Sequence, residues 1–443
     1  MVLGGLIGDE RSEHGLQPEA LMAFQPGWIL TEFWRCRTSP IEYPHRFKPL
    51  AAPLRETLGE LQRYQEDLQE IMKEKEFDHD RFAATKTQEE ALWNRLRPVV
   101  SLPEPYTRQG FIRLVGLELP RVLAAYQIYA RPLLLYRKKP DSFEAEAATL
   151  RLAFTKIERV TRETVVRDGE TFSRSIGYLG QPLTFESNFQ ATAIASDGQT
   201  VFQTIFIDES QVAQKAKGIS EIQTEEFLEV LPTKNLASWI KFLGDRSNGH
   251  QLAVMSAIVK LCVQVQKDPQ LLQLQLDNTI EHETGHLRQF RSEIFQSRLR
   301  MPRLSSQAQW GWFQTISAHD EIHGFLAECR FSPAPQLPVI SLLRHALGEH
   351  EQDFSHTLTL AWTLREMLER IRRQPAHFGV VIDETSRLNV TDQILLQMAE
   401  VVAHETAFRT LAREMEEYHT LHLDQDFSDE YFTFLQSEQP YRD

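Results

Sequence analysis

Hydrophobic residues recur most regularly in PLRETLGELQRYQEDLQEIMKEKE, where Leu58, Leu61, Leu68 and Met72 fall near helical spacing among charges. This predicts a helix that packs through one apolar stripe. Pro103 and Pro105 break the helical run that follows. Residues 110–137 are strongly apolar and read as helical up to LLLYRKKPD. The texture then changes. FESNFQATAIASDGQTVFQTIFIDES, residues 185–210, holds two β-rich runs around Ser196-Asp197-Gly198. Asp-Gly between such runs predicts a hairpin. From about residue 222 the pattern is helical to the end, punctuated by Pro232, Pro302, Pro333, Pro335, Pro338 and Pro375. Residues 1–50, rich in Pro, Trp and Phe, show little period and read as an arm packed on the rest.

The expected class is α+β, mainly α-helical, in three regions. Residues 1–110 form a mainly helical region. Residues 111–220 form a mixed α/β region with a hairpin near 188–207. Residues 221–443 form a helical metal-binding region. At 443 residues, with 42 % hydrophobic and 25 % charged positions, the chain can build a sizeable core. Its net charge of −14 argues against nucleic-acid and anionic-membrane partners, which call for basic surface. The three cysteines, Cys36, Cys262 and Cys329, are odd in number and widely spaced, so neither a disulfide framework nor a cysteine metal knuckle is expected. With no signal-like N-terminus and no long apolar run, a cytoplasmic location is expected.

Histidine changes the picture. Eleven of the fifteen lie from His282 onward. EHETGHLRQF, residues 281–290, contains His-Glu-x-x-His: His282, Glu283 and His286. Asn278 and Glu281 form a capping-box pattern ahead of it. At i and i+4 on one helix face, two imidazoles can bind one metal ion. Glu283 lies one step round, where a general base for an activated water belongs. Gly285 leaves room beside the second ligand. A third ligand is needed. ISAHDEIHGFLAECRFSP, residues 316–333, offers several on a helix that Ser317 would cap with Asp320 at its third position. Glu321 shares a face with Phe325 and Glu328, while His319 and His323 form an i, i+4 pair on another. The same residues also fit a solvated helix or a non-catalytic helical interaction protein.

The pair HETGH … ExxGFLAE resembles the zincin metallopeptidases, specifically the gluzincins, and is especially similar to small bacterial gluzincins that cleave phage-type repressors. The resemblance covers about 55 residues of the 443. It implies a zincin-like catalytic region with a small sheet beside the HExxH helix. It implies Zn2+ held by His282, His286 and Glu321, with Glu283 moving protons during hydrolysis of a peptide or protein substrate. The strand around TVFQTIFI would pair with an extended peptide. Zincins also use an oxyanion donor, for which Tyr418, His419 and His422 are candidates. In VVAHETAFRT the motif is echoed, but Phe408 replaces the second His, so His404 is not expected to share a metal.

The region is also similar to HExxH-type iron/2-oxoglutarate peptide β-hydroxylases, through EIHGFLAECRF and the helical tail. That resemblance implies Fe2+ with 2-oxoglutarate, with His323 or Glu328 replacing Glu321. An arginine clamp for the keto acid would come from Arg288, Arg291, Arg298, Arg300 or Arg303.

Overall fold

The structure, a computed structural model, describes residues 47–74, 76–102, 105–138, 145–180, 191–194, 204–222, 249–291, 306–346 and 354–422, with isolated positions at 29, 32, 33, 36, 41, 43 and 224. The fold is α+β and mainly helical, with one five-stranded sheet. Most of the expected N-terminal arm, the Asp197-Gly198 turn, Pro232 and Pro302 lie outside the described residues. The chain divides into two compact units, one taking residues 1–189, 194–206 and 301–312 and the other 190–193, 207–300 and 313–443.

In the first unit, α1 (Ala52–Lys73) buries Leu54, Leu58, Leu61, Leu68 and Met72, which is the stripe read from the sequence. α2 (His79–Val100) starts at Asp78, whose side chain accepts from the Arg81 N–H. Buried Glu89 on α2 accepts from Tyr64 Oη at 2.5 Å and Tyr106 Oη at 2.7 Å, and pairs with Arg108 at 3.2 Å. Two hydroxyl donors and one neighbouring guanidinium charge satisfy a carboxylate that burial alone would penalise.

The next helical run ends earlier than its sequence suggests. α3 (Arg108–Arg113) passes through a π-helical turn at Leu114–Glu118 into α4 (Leu119–Ala124), and Ile128–Lys138 is strand β1. The helical reading of residues 110–137 is thus corrected. An apolar run such as LLLY has no polar face to reveal its period, and here it pairs with β2 (Ala145–Arg167) from Ile128↔Lys156 to Lys138↔Ala145. β2 turns at Asp168-Gly169, with φ of 52° and 80°, into β3 (Glu170–Leu179). Positive φ at both central residues is what an Asp-Gly hairpin supplies. With β4 (Ala191–Ile194) and β5 (Thr204–Asp208), the strand order is β1-β2-β3-β5-β4. β5, the described part of TVFQTIFI, lies between β3 and β4, so the peptide-pairing role expected there is not open to it; among the described residues β1 and β4 are the outer strands.

In the second unit, Asp208 at the end of β5 caps α5 (Glu209–Ser220), accepting from the Ser210 and Gln211 N–H groups. There follow α6 (Gly249–Val265), α7 (Leu271–Arg291), α8 (Ser306–Phe331, in this unit from Phe313 on), α9 (Gln336–Ala346) and α10 (Phe354–Arg373). A 3-10 turn at Pro375–Phe378 leads to α11 (Val390–Leu396), α12 (Met398–Ala403) and α13 (Glu405–His422). One apolar core joins them, with Ala253, Val254 and Leu261 of α6, Ile322, Leu326 and Cys329 of α8, Leu342 and Leu343 of α9, and Phe408 and Met415 of α13 all buried. All three cysteines are buried, and none is in a disulfide. No helix among the described residues is long and apolar enough to cross a membrane.

Two expected helix starts shift. α7 begins at Leu271, so Asn278 and Glu281 are interior, and α8 begins at Ser306, so Ser317 does not cap it. Good helix formers, LLQLQLD, precede the first capping pattern and carry α7 through it. The C-terminal end of α8 is held from α13, where the Arg409 guanidinium donates to the carbonyls of Arg330 and, at 2.8 Å, Ser332. Leu326, fully buried on α8, anchors it to this core. Leu326→Ala is expected to cost about 2–5 kcal/mol, read as a lower urea midpoint with an unchanged slope.

Candidate metal centre

α7 and α8 approach unusually closely, and two glycines permit it. A Cβ on Gly285 would lie 2.7 Å from both Ala327 Cβ and the His323 carbonyl oxygen. A Cβ on Gly324 would lie 2.7 Å from Cε1 and Nε2 of His282. Gly324 therefore leaves the space that the first imidazole fills.

Across this contact one ligand atom from each of His282, His286 and Glu321 lies within 4.8 Å of the others. His282 Nε2 is 3.4 Å from Glu321 Oε2. This His-His-carboxylate group can hold a metal ion, and it joins the residues that the two sequence motifs single out. The ring centroids of His282 and His286 are 4.7 Å apart, and Phe325 packs edge-on against His282 at 4.9 Å.

A carboxylate also stands beside each of the other ring nitrogens. His282 Nδ1 lies 2.5 Å from Glu328 Oε1, and His286 Nδ1 lies 2.9 Å from Asp320 Oδ1. Glu328 is itself fixed by Asn278, whose Nδ2 donates at 2.6 Å. A carboxylate on Nδ1 sets the imidazole tautomer and leaves Nε2 for a metal. Glu328, considered above as an alternative ligand, occupies this supporting place. The chain thus offers two oriented imidazoles and a third, oxygen ligand, a donor set suited to a divalent transition metal. The Glu321 side chain is 27 % exposed, against 11 % for His282 and 8 % for His286, so the group opens on the Glu321 side.

Glu283 is buried, and its Oε2 has no hydrogen-bond partner among the described residues. Burial pushes its carboxyl upward, against the pull of His286 and His282. For both histidines burial favours the neutral form but is outweighed. Glu328 and Glu321 hold His282 well above its ordinary range, and Asp320 raises His286.

The remaining candidates lie elsewhere on α8 and α13. His323, two residues after Glu321, is on the opposite flank, with its Nδ1 3.8 Å from Glu416 Oε1. His419 is buried with its ring 4.4 Å from that of Trp362 and 6.4 Å from that of His319, which shares the His323 flank. Tyr418 is 40 % exposed, with the Arg370 guanidinium 5.2 Å from its ring. The structure thus groups His419 with Trp362 and His319, not with His282, His286 and Glu321. Arg288 pairs with Glu416 at 3.2 Å, and Arg330 pairs with the same carboxylate. Burial would raise Glu416, but His323, Arg288 and Arg330 bring it down to about 2. His404 packs against Gly379. The side chains of Arg291 and His422, together with Arg298, Arg300 and Arg303, lie outside the described residues. The sequence reading missed the supporting roles of Asp320, Asn278 and Gly324. The one available signal was a carboxylate directly beside Glu321.

Two outcomes are expected. Raised histidine pKa values mean that charged pairs stabilise the metal-free fold fully below the ordinary histidine range, and that this stability is lost as pH rises through the raised values. A metal takes neutral imidazole, so loading should release protons and tighten as pH rises. Zn2+ calorimetry at about pH 7 in buffers of different ionisation enthalpy should show that release; proton-free binding of flat affinity would contradict it. Gly324→Ala should displace the His282 ring and weaken metal binding by roughly tenfold to a hundredfold, as changes to ligand-supporting groups do. A competing chelator would measure this.

Comparison with known proteins adds no relative: no family model matches the chain, and no curated protein or solved structure matches it.

Proposed function

We propose that the chain is a zinc-dependent peptidase that hydrolyses a peptide or protein substrate with activated water. The observation that carries this is the convergence of His282, His286 and Glu321, with the buried, unpartnered Oε2 of Glu283 next to the first ligand in sequence. When bound, Zn2+ would supply Lewis acidity toward water and the scissile carbonyl. Glu283 accepts a proton from water at Oε2 and later delivers it to the leaving amine. Its raised pKa brings it closer to the operating pH, which suits a group that must both take and give a proton. Glu328 and Asp320 keep the imidazoles turned through Nδ1, and Phe325 packs beside the first ring.

One observation supports the oxygenase reading: two histidines and one carboxylate are also a donor set for iron(II). Against it, Arg288 is committed to Glu416. His323 and Glu328 are committed to Glu416 and to His282 Nδ1.

The test uses the purified chain, its metal content and a peptide library. Glu283→Gln should retain about one zinc per chain and lose cleavage by at least about a hundredfold, the usual range for a general base. Oxygen consumption that depends on Fe2+ and 2-oxoglutarate would overturn the peptidase reading.

A further inference from the structure

The ligand face of α7 extends beyond the ligands. Gln275, Asn278, His282, His286 and Gln289 recur at helical spacing on that face, and all five are buried. The three central residues have partners on α8. Asn278 donates to Glu328, His282 meets Glu328 and Glu321, and His286 meets Asp320. Gln289, one turn beyond His286 and 5 % exposed, differs. Neither its amide nitrogen nor its amide oxygen has a hydrogen-bond partner among the described residues, and the same holds for Gln275 at the other end of the face, two turns from His282. A buried carboxamide with both donor and acceptor unmet is costly, and proteins rarely keep one without a role.

Resting on the peptidase reading, we propose that Gln289 is a substrate-binding residue whose carboxamide pairs with the N–H and C=O of one extended residue of the bound peptide beside the metal. The chemistry is matched. An extended residue presents its own N–H and C=O to one side, and a primary amide answers both at once. The site needs such a group, because a metal and a general base act on one carbonyl but do not set the path of the chain around it. A residue on the same rigid helix as both histidines fixes that path relative to the ligands. Because the contact is with the main chain, it would hold peptides of varied sequence.

The test compares two hydroxamates on the zinc-loaded full chain by calorimetry: acetohydroxamate, which offers little beyond its chelating group, and an acetyl-dipeptide hydroxamate, which adds main-chain amides. The longer compound should bind more tightly. In Gln289→Leu that advantage should fall by roughly fivefold to tenfold, the size of one hydrogen bond, with zinc content and acetohydroxamate affinity unchanged. Gln289→Glu, which keeps the shape and removes the donor, should lose part of the advantage and serves where the leucine variant does not fold. An advantage of full size in either variant would overturn the assignment while leaving the metal site standing. Failure of the wild-type chain to bind zinc or acetohydroxamate would overturn both readings.

Discussion

The site depends on how closely α7 and α8 can approach. At Gly285 the neighbouring helix presents backbone and the methyl group of Ala327, and at Gly324 the space a side chain would take belongs to the His282 ring. Helices normally cross 8–10 Å apart because side chains hold them off. Absent side chains at these two positions let the third ligand reach the first two without a loop to carry it. The donors therefore come from regular secondary structure, whose positions are set by packing and not by the conformations of a surface segment.

One short stretch of α8 supplies three carboxylates with separate tasks. Glu321 faces Nε2 of His282, Glu328 takes Nδ1 of the same ring, and Asp320 takes Nδ1 of His286. Because successive residues on a helix are about 100° apart, Asp320 and Glu321 can address two different rings while adjacent in sequence. The opposite flank carries His319 and His323 toward His419 and Glu416. Burying this many charges is tolerable only because each meets a complementary group or awaits one.

What the sequence revealed follows from the range of each interaction. His282, Glu283 and His286 were legible because their relation is fixed within one turn of a helix. Glu321 was legible through resemblance and face-sharing with Phe325. The supporting duty of Glu328 was not, because only the crossing of two helices decides which ring nitrogen a carboxylate meets. The same holds for Asn278, which read as a cap and is instead the donor that fixes Glu328. The first-unit stripe was plain because α1 is solvated on one side. β1 was hidden by its uniformly apolar middle, and the outer half of β2, ERVTRETVVR, by charges that also suit a helix. Asp168-Gly169 was a usable signal for the β2–β3 turn, since only the local backbone decides it.

Glu416 gives the last helix a part in this arrangement. From α13 it pairs with Arg288 of α7 and Arg330 of α8, while Arg409 closes the end of α8. One carboxylate thus straddles both ligand-bearing helices from behind. Packing of α13 therefore bears on the spacing of the two helices that carry His282, His286 and Glu321, although it touches none of the three.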